Sequence, residues 1–233
     1  IQPHLTYWKI QSMRIQLIIF MLLRTILNSA HRMVYPFLSV FARGVGVELQ
    51  TFSLLMTARS LVGALSPFFA PIADRRGRKF GMLMGISIFI FGMFIVAIYP
   101  SFWTLAIALM LAMVGKFIFD PSMQAYFGDR IPYHKRGTAL AVTEVAWSFA
   151  FIFGIPLVGF LIDRFGWSAP FPLFTLLGLL AFFIVWRIVP KEDTHHEPVM
   201  NSREGFRAVF SSKTAIIGIS IALFASAANE LVN

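Results

Sequence analysis

The chain has 233 residues, of which 58% are hydrophobic and only 13% charged, and its mean hydropathy is +0.74; this excludes the usual balance of a water-soluble domain. A net charge of +9 and a pI near 10.4 raise the question of nucleic acid, but the basic residues fall at the ends of apolar runs, so no nucleic-acid partner is expected. Cysteine is absent, which removes disulfides, thiolate metal sites and a cysteine nucleophile from consideration.

In chain order, residues 1–14 are polar and read as an N-terminal segment without a cleavable signal. Six apolar runs follow, at 15–41, 49–73, 80–99, 102–127, 138–162 and 168–189. Each is long enough to cross roughly 30 Å of hydrocarbon as a helix. Residues 15–190 are therefore expected to form an all-α transmembrane bundle of six helices embedded in a lipid bilayer. Residues 191–213 read as a polar linker, and 214–233 as the start of a seventh span cut off at Asn233, which suggests a fragment. Within the linker, Phe206, Val209 and Phe210 alternate with Arg203, Arg207 and Lys213, the pattern either of a short amphipathic helix on an anionic surface or of a solvated loop.

Basic residues alternate between the two sides. Lys9 and Arg14, Arg75 to Lys79, Arg130 to Arg136, and Arg187 to Lys213 fall on one side, against only Arg43 and Arg164 on the other. Short cytoplasmic loops retain Lys and Arg, so the N-terminus and the linker are expected in the cytoplasm, in a multi-pass protein of the plasma (inner) membrane.

The end of the second run and the end of the fifth match at constant offset: Pro67, Ala70, Asp74, Arg75 and Gly77 against Pro156, Gly159, Asp163, Arg164 and Gly166. Each set supplies a kink, a small residue for close helix approach, an ion pair and a turning glycine. One set ends on each side of the membrane, so two inverted three-helix repeats are expected.

The run Ala70-Pro-Ile-Ala-Asp74-Arg75-Arg76-Gly77-Arg78-Lys79 resembles the signature G-x-x-x-D-R-x-G-R-(R/K) of the major facilitator superfamily between helices two and three. Gly128-Asp129-Arg130 in the next basic loop and Gly154-Ile-Pro156-Leu-Val-Gly159 add to the likeness, the latter similar to the Gly-Pro motif of the drug/proton antiporter branch. Ala70 replaces the leading glycine, and Gly115-Lys116-Phe-Ile-Phe-Asp120-Pro121 stands where that branch carries an arginine motif. The resemblance implies the N-terminal half of a twelve-helix fold, with a second bundle of the same chain beyond Asn233. It also implies that Asp74, with Arg75, Gly77 and Arg78, latches the state closed to the cytoplasm. The alternative for this basic turn is topology determination alone.

Ionisable groups inside membrane spans are costly and usually face a cavity or a partner. Arg24, Asn28, His31, Arg32 and Tyr35 recur at spacings of three and four on the first helix. Arg59 lies roughly 15 Å deep on the second, by helical rise. With Lys116 these residues are the expected substrate cavity, while Asn229 and Glu230 are placed in the opposing half. Lys116 and Asp120 stand one turn apart on the fourth helix. Asp120 and Glu144 lie at similar depth, roughly 9 to 12 Å from the cytoplasmic end. Their mutual repulsion favours one protonated carboxyl, with Lys116 or Arg59 opposing this, so Asp120 or Glu144 is the expected proton carrier. Trp147 and Phe151 share the face of Glu144 and read either as packing or as an aromatic wall. For each charge the alternative is a structural ion pair. Pro67, Ala70, Gly154, Pro156 and Gly159 are expected to serve kinking and packing.

The expected activity is secondary active transport by alternating access, proton-coupled, of a small molecule bearing an anionic or zwitterionic group. The alternative is a non-transporting six-helix membrane module or receptor-like protein. An enzyme is not expected, since no metal-binding cluster, phosphate loop or serine motif appears, and His195 and His196 lie in the linker. No cofactor is expected.

Overall fold

The computed structural model describes residues 3–64, 76–190, 211–212, 216–218 and 220–221. The chain divides into two compact units, Ile1–Thr194 and His195–Asn233. Pro67, Ala70, Asp74 and Arg75, the linker residues 191–210 and Asn229 and Glu230 lie outside the described residues. In the second unit, residues 216–218 and 220–221 are helical.

In the first unit the elements are α1 (Pro3–Arg32), α2 (Leu38–Gly44), α3 (Leu49–Ala64), α4 (Arg78–Ile98), α5 (Phe102–Arg130), α6 (Tyr133–Phe149), α7 (Ile155–Phe165) and α8 (Pro170–Ile188). Five stretches are long and apolar enough to cross a membrane: Met13–Arg32, α4, α5, the combined Tyr133–Phe165 and α8. The second expected span is described only as far as Ala64. Their outward faces carry Leu22, Phe91, Phe94, Ile107, Phe160, Leu176 and Phe183, all exposed, which is the surface a hydrocarbon solvent requires.

The expected first span does not run unbroken from Ile15 to Phe41. It stops at Arg32, turns, and resumes at Leu38. Pro36 accounts for this, because it has no N–H to donate and its ring disfavours helical backbone at the preceding Tyr35. The fifth span also departs from a regular helix. Ala150–Gly154 forms a π-helical turn in which Ile155 N–H bonds the carbonyl of Ala150, five residues back. The following Pro156 cannot donate to the carbonyl of Ile152, so the widened turn stands where the regular ladder is already broken. Pro121 lies inside α5, directly after Asp120. At its N-terminus α5 is closed by a capping box, with Ser101 and Thr104 each bonding the other's backbone N–H.

α4 packs chiefly on α5 and α8. Gly85 and Gly115 lie backbone to backbone at the α4–α5 crossing, where a Cβ on either would collide with the other's carbonyl oxygen. A Cβ on Gly154, at the end of the π-turn, would overlap the Ser29 hydroxyl of α1, and one on Gly159 of α7 would lie 3.1 Å from the Phe37 ring. Gly77 (φ 91°, ψ 154°) and Gly166 (φ 89°, ψ 171°), the matched glycines of the two sequence sets, adopt nearly the same torsions. This is not the left-handed helical region usual for a glycine that ends a helix, but the extended mirror region open essentially to glycine alone.

At the basic end, Arg78 Nε lies 3.3 Å from Asp129 Oδ2 and Lys79 Nζ donates to the Trp186 carbonyl at 2.7 Å. The beginning of α4 therefore meets the ends of α5 and α8, as an antiparallel alternation demands. The core falls into two apolar clusters. One holds Phe20, Leu23, Leu27, Met82, Phe119 and Val185; the other holds Ala30, Met33, Phe41, Phe89, Ala112 and Phe174. Asn28 on α1 and Lys116 on α5 sit where the chain passes from one cluster to the other, so a polar layer separates them.

At the α4–α5 crossing, Gly85→Val should destabilise the fold by about 1–3 kcal/mol through overpacking. Gly128→Ala, which meets nothing within 4 Å, should leave it unchanged. Thermal unfolding of the two purified variants checks this.

Candidate functional site

The polar layer is assembled from four helices. Arg24 reaches from α1 towards α6, where its Nη1 donates to Glu144 Oε1 at 2.6 Å and to the Thr143 carbonyl at 3.2 Å. Its Nε lies 3.3 Å from Asp120 Oδ1 on α5. Lys116 Nζ donates to Asp120 Oδ2 at 2.5 Å and to Asn28 Oδ1 at 2.7 Å. Arg24, Asn28 and Lys116 are buried. Ions so placed persist because each has a partner: the Coulomb attraction and hydrogen bonds offset the loss of hydration, and removing one member strands another.

This arrangement corrects the expected relation of the carboxylates. Asp120 and Glu144 are not set against each other; the Arg24 guanidinium stands between them and joins both. Arg59 reaches another member of the layer. It is buried on α3 and donates through Nη2 to His31 Nδ1 at 2.6 Å and to the His31 carbonyl at 2.9 Å. An arginine can only donate, so Nδ1 accepts and the imidazole proton resides on Nε2. His31 is thus satisfied from another helix rather than by neighbours on its own.

The two carboxylates differ in access. The Asp120 side chain is 15% exposed and held by two cations, whereas that of Glu144 is 46% exposed and held by one. Arg32 differs again. Its guanidinium carbon lies 5.0 Å from the Trp147 ring centroid and 5.6 Å from those of Tyr35 and Phe151, and among the described residues it has no carboxylate partner. Trp147 also receives Lys116 Nζ at 5.0 Å and the edge of His31 at 6.2 Å. It is therefore the hub between the ionic and aromatic parts of the layer, a role its sequence position on the Glu144 face only hinted at. Tyr35 stands over both Arg32 and Arg59. Arg24, Asn28, His31, Arg32, Arg59, Lys116, Asp120 and Glu144 therefore form one continuous constellation. No group of three or more metal-ligating side chains occurs among the described residues.

The Major Facilitator Superfamily model matches residues 18–232. The chain belongs to this superfamily. Among curated relatives it is 29% identical to the uncharacterized MFS-type transporter YwfA of Bacillus subtilis, over 63% of this chain and 36% of that protein. It is 29% identical to the multidrug resistance protein MdtG of Salmonella newport, over 84% of this chain and 52% of that protein. The inner membrane transport protein YdhP of Escherichia coli K12 is 27% identical over 69% of this chain and 42% of its own length. Among solved structures, the fold matches a POT peptide transporter crystallised in complex with sulfate, at TM-score 0.66 and 14% identity, over 90% of this chain and 45% of the other. It also matches the POT family transporter PepTSo at TM-score 0.65 and 16% identity, over 79% and 39%. The chain thus spans about half or less of the proteins it matches. Its fold is half of the superfamily's all-helical architecture, and it is an integral membrane protein.

The ion network carries a stability prediction. Arg24→Gln takes from Glu144 its one cation and leaves Asp120 with Lys116 alone, and should cost about 3 kcal/mol. Glu144→Gln, at a half-exposed position, should cost under about 1 kcal/mol. Thermal denaturation of both variants in one detergent checks the order.

Proposed function

We infer that this chain is the N-terminal half of a secondary active transporter that works by alternating access and couples a proton to a small molecule with an anionic or zwitterionic group. The observation that carries this reading is the Arg24 bridge. A buried cation shared by carboxylates on two different helices is a switchable link between those helices, because protonating either carboxylate weakens one arm of it. Glu144 is the better proton carrier, since its half-exposed carboxylate has one cation to surrender. Asp120, clasped by Arg24 and Lys116, anchors the network.

Anion binding is supported by the charge balance, four cations (Arg24, Arg32, Arg59, Lys116) against two carboxylates. Arg32, met only by aromatic rings among the described residues, is the cation offered to a ligand, and Asn28 and His31 complete the cavity in this reading. The name of the MdtG relative favours drug export, but the positive balance favours an anionic group. Residues 15–190 form the first bundle in this reading, 191–213 the linker and 214–233 the start of helix seven, with the second bundle following in the same chain. The N-terminus and the Lys/Arg-rich loops face the cytoplasm at the inner membrane. Asp74, Arg75, Gly77 and Arg78 act as the latch of the cytoplasm-closed state. The glycine-only torsions at Gly77 and the tie from Arg78 to Asp129 support a fixed start to α4 beside this motif, and the latch would set the Asp74 carboxylate against a helix N-terminus of the second bundle.

Transport by the full-length protein in proteoliposomes tests the reading. A proton gradient should drive accumulation of an anionic substrate. Glu144→Gln should abolish the dependence on the gradient while leaving exchange, and Arg32→Gln should raise KM about tenfold or more. No gradient-driven movement of any anion by an intact protein would favour the non-transporting alternative. Unchanged uptake on neutralising Arg24, Arg32 and Arg59 one at a time would remove the anion site.

A further inference from the structure

Arg32 is the least explained charge in the layer. Arg24, Lys116 and Arg59 each donate to a named acceptor, namely Glu144, Asp120 and His31. Arg32 Nε is buried and lacks an acceptor among the described residues. A donor withdrawn from water without a partner is costly to keep. What Arg32 has instead is aromatic: Trp147 at 5.0 Å, with Phe151 and Tyr35 at 5.6 Å. Rings beside a guanidinium do not take up its N–H groups, and Arg32 Nη1 and Nη2, which unlike Nε are not among the buried unpartnered atoms, form the edge that can take a carboxylate with two parallel hydrogen bonds.

The rings are not themselves closed off. Phe151 is 50% and Tyr35 42% exposed, and Glu144, on the face of α6 that carries Trp147, is half-exposed too. A carboxylate left so open is tolerated against water and not against lipid, so the aromatic surface beside Arg32 opens on the same wet side. We propose that Arg32, Tyr35, Trp147 and Phe151 form a receptor for an aromatic carboxylate, with the acid in the Arg32 fork and the aryl ring against the exposed faces of Phe151 and Tyr35. The proposal rests on the reading that this face lines the translocation pathway, and it narrows the substrate from any anion to an aryl acid.

Competing ligand classes fit the site less well. An aliphatic acid fills only the ionic half. An organic cation meets Arg32 with Lys116 behind Trp147 at 5.0 Å.

Equilibrium binding of radiolabelled benzoate to the full-length protein in nanodiscs, with no gradient imposed, tests this by competition. Cyclohexanecarboxylate should compete about two- to tenfold more weakly than unlabelled benzoate. Acetate should compete about tenfold or more weakly, and benzylammonium not at all. Arg32→Gln should weaken benzoate about tenfold or more, with Arg32→Lys intermediate. Phe151→Leu, which keeps an apolar side chain at an exposed position, should shrink the difference between benzoate and cyclohexanecarboxylate and leave acetate unchanged. Equal competition by benzoate and acetate, displacement by benzylammonium, or wild-type benzoate binding in a folded Arg32→Gln variant would overturn the receptor. If benzoate binds in this pattern but a proton gradient moves no anion, the receptor stands and the transport reading falls. If a proton gradient drives uptake of another anion and benzoate binding ignores Arg32, the receptor falls and transport stands.

Discussion

A charge buried among apolar helices survives only if other groups in the protein replace the water it has lost. Arg24 is where this constraint is felt most strongly. It is fixed on α1, it is buried, and it finds its two acids on α5 and α6. Three helices are thereby held in register by one guanidinium, and the apolar core is divided at that level into two clusters. The remaining polar contacts extend from this point: Lys116 shares Asp120 and reaches Asn28, while Trp147 joins Lys116 to Arg32 and His31.

The dependence also runs from packing to chemistry. The ionic layer forms only if the helices approach closely on either side of it, and glycines at two crossings allow this: Gly85 with Gly115 between α4 and α5, and Gly154 against Ser29 between the π-turn and α1. The π-turn that precedes Pro156 lies one turn beyond Trp147 and contains Phe151. The irregular backbone therefore belongs to the segment that presents the aromatic side of the site. Where the ladder is already weakened, a shift of the helix breaks fewer hydrogen bonds, so a moving part is easier to build there than in α4, whose hydrogen bonds are regular throughout.

The membrane spans were legible in the sequence because their length and apolarity are imposed by the bilayer itself, and the family was legible because Asp74 to Lys79 combine spacing with position. The membership of the polar layer was legible for the same reason: a charge in an apolar run needs an explanation wherever it points. The pairing was not. Spacing along a helix identifies neighbours on that helix, as with Lys116 and Asp120, but carries nothing about which arginine crosses to which helix. Arg24, read from the sequence as a ligand for substrate, is the partner of both acids, and Arg59, read as opposing their protonation, holds His31. The uninterrupted hydropathy of the first run concealed the turn that Pro36 makes. The widened turn at Ala150–Gly154 has no residue signature except the proline that follows it.

The central claim is that the ionic layer faces a water-filled pathway and not lipid. Because these 233 residues contain no cysteine, single cysteines can be placed in the full-length protein and challenged with a membrane-impermeant, water-borne thiol reagent. Glu144→Cys should label, while Leu176→Cys, on an exposed apolar face of α8, should not. Labelling of position 176 with position 144 protected would contradict the account, for it would put water on the face assigned to hydrocarbon and lipid on the face assigned to substrate.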